Sequence, residues 1–177
     1  MKKFSKNGVE LELVQGDISS QSDVEAVVNA ANARLETGGG VAGAIHSAAG
    51  PGLAEEARQY APIEPGEAVI TGGHDLPNDY VIHALGPVYG RDKPEDELLS
   101  SCYREALRLA EENGIKSVAF PAISMGAFGY PERQAAKVAL ETVTDLMSDM
   151  KTVERIKFVL YSESDLNLFA GVMKKII

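Results

Sequence analysis

The stretch VVNAANARLETGGGVAG (residues 27–43) places two uncharged amides, Asn29 and Asn32, and a run of glycines directly behind an apolar segment. An asparagine side chain offers two donors and an acceptor without a charge. Glycine lets the backbone itself come close to a ligand, or turn in ways other residues resist. A second segment, ISMGAFG (residues 123–129), has the same character behind another apolar run. Neither 38–50 nor 124–129 contains a lysine or arginine. An anion bound between them would be held by backbone N–H groups and a helix N-terminus, without a cationic clamp. In that way a chain of net charge −9 can take one small anionic nucleotide, while the same charge argues against a broad phosphate-tracking nucleic-acid surface. On composition alone, both runs could equally be tight turns.

Better-known motifs fit poorly. GGGVAG (38–43) matches G-x-G-x-x-G, but a dinucleotide fold puts its first glycine directly after the strand, and here about eight residues intervene. Glu64 lies at about the right distance downstream, yet in PIEPGE rather than at a strand end. No G-x-x-x-x-G-K-[ST] is present. AISMG (122–126) faintly resembles a nucleophile elbow, which needs a histidine downstream, whereas the last histidine is His83. His46, in the helix after the glycines, and His83, alternating with Val81 and Leu85, read as structural. His74, Asp75 and Asp79 form a polar turn without metal-ligand spacing, so no metal is expected. Cys102 shares an apolar face with Leu99 and Ala106 and reads as an inert buried thiol. A single cysteine allows no disulfide within the chain and suits a reducing cytosol.

The elements that must position these segments alternate. Strands are expected at 9–14, 25–30, 67–73, 79–85, 116–122 and 155–161. Helices are expected at 41–49, 52–60 and 96–113. Another runs from Pro131 to about Met150, and a last one starts at Ser164 with Asp165 in its first turn. The pattern predicts α/β layers around a largely parallel sheet, with ligands beyond the carboxyl ends of its strands. The length of 177 residues suits one domain. No apolar run suggests a membrane span or a signal peptide, so a cytoplasmic protein is expected. Nothing supports an obligate dimer.

QGDI (15–18), VVNAAN (27–32), GGGVAGAIHSAAGP (38–51), YVIHALGPVY (80–89), SVAFPAISMGAFGYP (117–131) and FVLY (158–161) together resemble the macro domain family. The matching stretches come in the family's order and cover nearly the whole chain. Residues 80–89 and 98–104 look most like the MacroD-type branch, whereas GGGVAGAI looks more like archaeal and viral members. The resemblance implies a single macro domain over 1–177. Its fold would be three-layer α/β/α with a six-stranded mixed, mostly parallel sheet, and its ligand ADP-ribose, with no further cofactor. By that likeness Asp17 accepts a hydrogen bond from the adenine amino group, Ile18 helps place the ring, Tyr161 stacks on it and Val41 lines the pocket. Asp17 could also be a plain helix cap.

The diphosphate would lie on N–H groups of Gly40, Val41, Ala42 and Gly43, entered through Gly38 and Gly39, and of Ser124, Met125, Gly126, Ala127 and Phe128. Asn32 would reach the distal ribose and Phe128 would pack beside it and set its angle. These two are the candidate catalytic residues; Asn29 reads mainly as a loop builder. MacroD-type enzymes carry an aspartate in the glycine loop, as G-G-V-D-G, where this chain has Ala42. Three functions follow from the resemblance. One is hydrolysis of ADP-ribosyl esters on Asp or Glu, or of O-acetyl-ADP-ribose, by a phosphate-assisted water. The others are ADP-ribose reading without turnover and ADP-ribose 1″-phosphate phosphatase activity. Partners would be ADP-ribose, its esters and mono-ADP-ribosylated proteins.

Overall fold

The computed structural model describes residues 2–177. In chain order the strands and helices are β1 (Lys3–Lys6), β2 (Val9–Gln15), β3 (Ala26–Ala30), α1 (Gly40–Ala49), α2 (Gly52–Ala57), β4 (Ala68–Gly72), β5 (Tyr80–Ala84), α3 (Glu95–Glu112), β6 (Ser117–Phe120), α4 (Glu132–Leu146), β7 (Arg155–Leu160) and α5 (Glu163–Ile176). One sheet runs β1-β2-β7-β6-β3-β5-β4. Its two edge pairs, β1–β2 and β4–β5, are antiparallel and the rest are parallel.

Alternation along the strands sorts the core into two layers. Ala26 and Val28 of β3 face the cluster built with α3, α4 and α5, around Leu99, Leu107, Leu140 and Phe169. Val27 between them faces the opposite way, onto Ile45, Ala49 and Leu53 of α1 and α2. Both faces of β3 are covered, which is why Ala26–Val28 is a continuous apolar run rather than an alternating one. Among the described residues no helix is long and apolar enough to cross a membrane.

The sheet has seven strands where six were expected. The extra strand, β1, is polar and short, and it pairs with β2 through the two-residue turn Asn7-Gly8, both of positive φ (55° and 76°). An Asn-Gly pair before an alternating strand is a hairpin signal, and it was available in the sequence. Three helix ends also differ: α2 stops at Ala57 and tightens into a 3-10 turn over Arg58–Tyr60. α4 stops at Leu146 and tightens into a 3-10 turn over Met147–Asp149. The last helix starts at Glu163, because the Ser162 hydroxyl accepts the Asp165 N–H at 3.1 Å and is the cap.

At the amino ends of the parallel strands, the buried Lys157 amine donates to both Asp23 oxygens at 2.8 and 3.0 Å, and Arg155 donates to the same carboxylate at 2.7 Å. The Lys157 hydrogen bond, opposed by burial and helped by Arg155, holds the Asp23 carboxyl down at about 2. Asp23→Asn is expected to cost about 1–2 kcal/mol at pH 7, since the carboxylate is itself half exposed while the amine left behind is not. A carboxyl of lowered pKa contributes fully above its unfolded value of about 4 and loses that contribution as pH falls toward 2. Urea melts of both proteins should therefore differ most at neutral pH and converge in acid.

Candidate functional site

The sheet topology places the site. The chain leaves β3 toward β5 and β4 on one side, and leaves β6 toward β7 on the other. Between them the β3–β6 ladder holds only Ala26↔Val118 and Val27↔Ala119. Beyond those pairs the carboxyl ends part, and such a switch point is where open α/β sheets bind ligands. Two adjoining cavities of about 300 Å³ and 620 Å³ lie there and share Gly40, Val41, Ala122 and Gly126. A larger groove of about 860 Å³ between α3 and α4 is lined mainly by charged and polar helix side chains.

The smaller cavity is lined by Asn32, Gly38, Gly39, Gly40, Val41, Ala42, Gly86, Ser124, Gly126, Ala127 and Phe128, among others. The second takes in Asp17, Ile18, Met125 and Tyr161. Residues far apart in sequence are thus brought to one cleft. Gly43 is the exception: it lines neither cavity. Its N–H is given to Gly39 O at 3.2 Å, so it is not a ligand donor as expected. Its part is close packing, since a Cβ there would sit 2.5 Å from Gly38 O.

The backbone donors are laid out on both walls. Gly40, Val41 and Ala42 open α1, where N–H groups have no intrahelical acceptor. In the facing loop, Tyr130 N–H closes on Ser124 O and Gly129 N–H on Gly126 O, both at 3.0 Å. The N–H groups of residues 124–128 find no acceptor among the described residues. Ser124 is held at φ 67°, an uncommon conformation for a residue with a Cβ. Its buried hydroxyl donates to Pro87 O at 2.9 Å, and the buried Tyr103 hydroxyl accepts the Ile123 N–H at 3.2 Å. Tyr89 N–H donates to Phe128 O at 2.9 Å. The loops after β5 and β6 are therefore tied together before any ligand arrives.

Asn32 does two jobs. Its Nδ2 donates to Glu36 O at 2.8 Å and its Oδ1 accepts the Glu36 N–H at 3.0 Å, bracing the loop after β3. The second amide hydrogen remains for a ligand. Phe128 packs its ring against the cluster of Leu35, Ile63 and Leu85, a rigid flank for this end of the cleft. Asp17 caps no helix. Its Oδ1 accepts both the Ser19 hydroxyl (2.6 Å) and the Ser19 N–H (2.9 Å), which hold its carboxyl below the usual range and leave Oδ2 open. Tyr161 stands 87% exposed at the same end.

Asn29 is not in the loop. It is buried in β3, and its Nδ2 donates to Nδ1 of its sheet neighbour His83 at 3.2 Å, while His83 Nε2 faces the Thr71 hydroxyl at 2.9 Å. Burial, with His46 nearby, pushes His83 down to about 3, so it is neutral and structural. His46 is buried as well, with both ring nitrogens lacking a partner among the described residues. Cys102 donates to Leu85 O at 3.0 Å, and burial pushes its thiol up to about 12. His74 pairs with Glu56 at 2.7 Å, away from the cleft. Gly86, Ser124's hydroxyl and Tyr103 are the site-building residues that sequence reading missed. The only signal for Gly86 was a glycine before proline at the end of β5.

A family model described as Macro domain matches residues 28–139. The chain belongs to the macro domain family. This macro domain is 47% identical to a Salmonella gallinarum protein named O-acetyl-ADP-ribose deacetylase, an alignment covering 92% of this chain and 93% of that one. It is 46% identical to a macro domain-containing protein of Chlorobaculum tepidum, over 92% and 95% of the two chains. Its fold matches a glycine-to-valine variant of the Oceanobacillus iheyensis macrodomain solved with ADPR, at TM-score 0.94 and 37% identity, covering 98% and 97%. The three-layer α/β/α architecture is thus that of the macro domain.

Proposed function

We propose that this macro domain binds ADP-ribose and hydrolyses mono-ADP-ribosyl esters, including O-acetyl-ADP-ribose. The observation that carries the reading is the pair of opposed, unpartnered N–H arrays at the switch point, with an uncharged amide at one end and a carboxylate with an aromatic at the other. The arrays suit a diphosphate, Asn32 and Phe128 a ribose, and Asp17 with Tyr161 an adenine. The ADPR in the Oceanobacillus neighbour and the name of the Salmonella relative support both the ligand and the chemistry.

The distal cavity is lined by no Asp, Glu, His, Lys or Cys, and Ala42 stands where a loop carboxylate could be. No side chain there can act as a general base. In our reading a ligand phosphate oxygen polarises the attacking water, Asn32 orients the ribose, Phe128 holds its angle, and positioning is the protein's main contribution. An ester, which water cleaves more readily than sturdier linkages such as amides, suits so weak an activation. The same absence favours one other reading, a macro domain that only reads ADP-ribose, on a metabolite or on a modified protein.

Incubation with O-acetyl-ADP-ribose and with a glutamate-linked mono-ADP-ribosylated protein, alongside calorimetry with ADP-ribose, tests this. Binding with release of free ADP-ribose supports the hydrolase, and binding without release leaves a reader. Release of inorganic phosphate from ADP-ribose 1″-phosphate would instead mark a phosphatase. Tyr161→Ala should weaken ADP-ribose binding by roughly 5- to 150-fold, the worth of one base–aromatic stack, with turnover at saturation unchanged.

A further inference from the structure

The adenosine end of the cleft carries a charge pattern that diphosphate binding does not need. Its cavity is lined by Asp17, Glu132 and Asp165, and no lysine or arginine lines either cavity. Asp17 is engaged by Ser19. The carboxylates of Glu132 and Asp165 make no ion pair or hydrogen bond among the described residues. Arg133, next to Glu132, lines a different groove, between α4 and α5. Both acids sit in the first turns of α4 and α5, where the helix dipole favours them. That accounts for their helical positions. It leaves open what two free carboxylates do on the wall of a cleft built for an anion.

We propose that Glu132 and Asp165 are specificity-determining residues. They restrict the cleft to adenosine diphosphate ligands whose adenosine ribose bears no further phosphate. This rests on the ADP-ribose reading above. With the base at Asp17, Ile18 and Tyr161 and the diphosphate on the two N–H arrays, the adenosine ribose lies along the wall made by Met125, Gly126, Glu132 and Asp165. A free ribose hydroxyl there donates to a carboxylate. A phosphate in its place is mostly the dianion at neutral pH, meets two negative charges, and finds no cation to neutralise it. The diphosphate escapes this conflict because dipoles, not charges, hold it farther along the cleft. The ligands excluded are the 2′-phosphorylated counterparts of ADP and ADP-ribose.

The test is calorimetric titration of the whole protein with ADP-ribose and with 2′-phospho-ADP-ribose, repeated on Glu132→Gln, Asp165→Asn and the double variant. The wild type should prefer the unphosphorylated ligand by roughly tenfold or more at low salt, and added salt should narrow the gap. The double variant should bring the two ligands within about threefold of each other while still binding ADP-ribose, which also reports that it is folded. Equal affinities in the wild type overturn the proposal. A preference that survives unchanged in the double variant overturns the role of these two residues and assigns the exclusion to shape. Failure of the wild type to bind either ligand would instead defeat the ADP-ribose reading itself.

Discussion

Replacing Asn32 with alanine is expected to slow ester turnover by roughly a hundredfold or more, the worth of holding a reacting group in register, while ADP-ribose affinity falls by no more than about fivefold. The cleft offers no titratable side chain at the distal end to take over, so a misplaced ribose has no second route. Asn32 also braces the loop through Glu36, and loosening that loop should raise KM. The two roles separate in single-turnover release of ADP-ribose at saturating substrate, where a loop defect is masked by binding and an orientation defect is not. A variant with the wild-type single-turnover rate would remove Asn32 from the chemistry.

The second large effect is expected at Gly86. A methyl group there would lie 2.1 Å from the Ser124 hydroxyl oxygen and 2.6 Å from Ile123 Cγ2. Both neighbours are buried, and Ser124 is already committed to Pro87 O. Gly86→Ala must displace the loop whose free N–H groups form one wall. ADP-ribose affinity should fall by roughly a hundredfold, as a shift of about 1 Å breaks several charge-assisted bonds at once. Overpacking should lower the melting temperature by about 3–10 °C. Combining it with Ser124→Gly removes the nearer clash and should restore part of the melting temperature but not the affinity, because the hydroxyl tie is gone. Near-native affinity in Gly86→Ala would show that this loop is not held as described.

The sequence made the layers readable because burial leaves a period. Ala26–Val28 of β3 is apolar without a break, and α3 shows its stripe through Leu99, Cys102 and Ala106. The glycine segments pointed to the cleft through their place behind two strands and their family likeness, since composition alone fitted tight turns equally well. The unread parts share a cause. β1 is a polar edge strand with little burial pattern, so only the Asn-Gly turn marks it. Asn29 looked like part of the loop because its partner, His83, lies across a ladder that one chain's spacing does not reveal. Gly43 and Gly40 look alike in sequence, yet one packs against Gly38 O and the other presents its N–H, a distinction set by the helix start. Gly86 matters through Ser124, 38 positions away, and no local pattern carries a contact of that range.

The two-residue ladder between β3 and β6 divides the sheet into halves, β1-β2-β7-β6 and β3-β5-β4, joined in the sheet itself by a very short seam. The cleft opens along the same seam, with one N–H array rooted in each half. On the proposed binding mode, a diphosphate lying across it would bridge the halves at the end where backbone pairing gives out. The ligand would then act as a mechanical splice. Occupancy would add a link between the halves at their open end, beyond the shared core that already joins them through Val28 and Phe120.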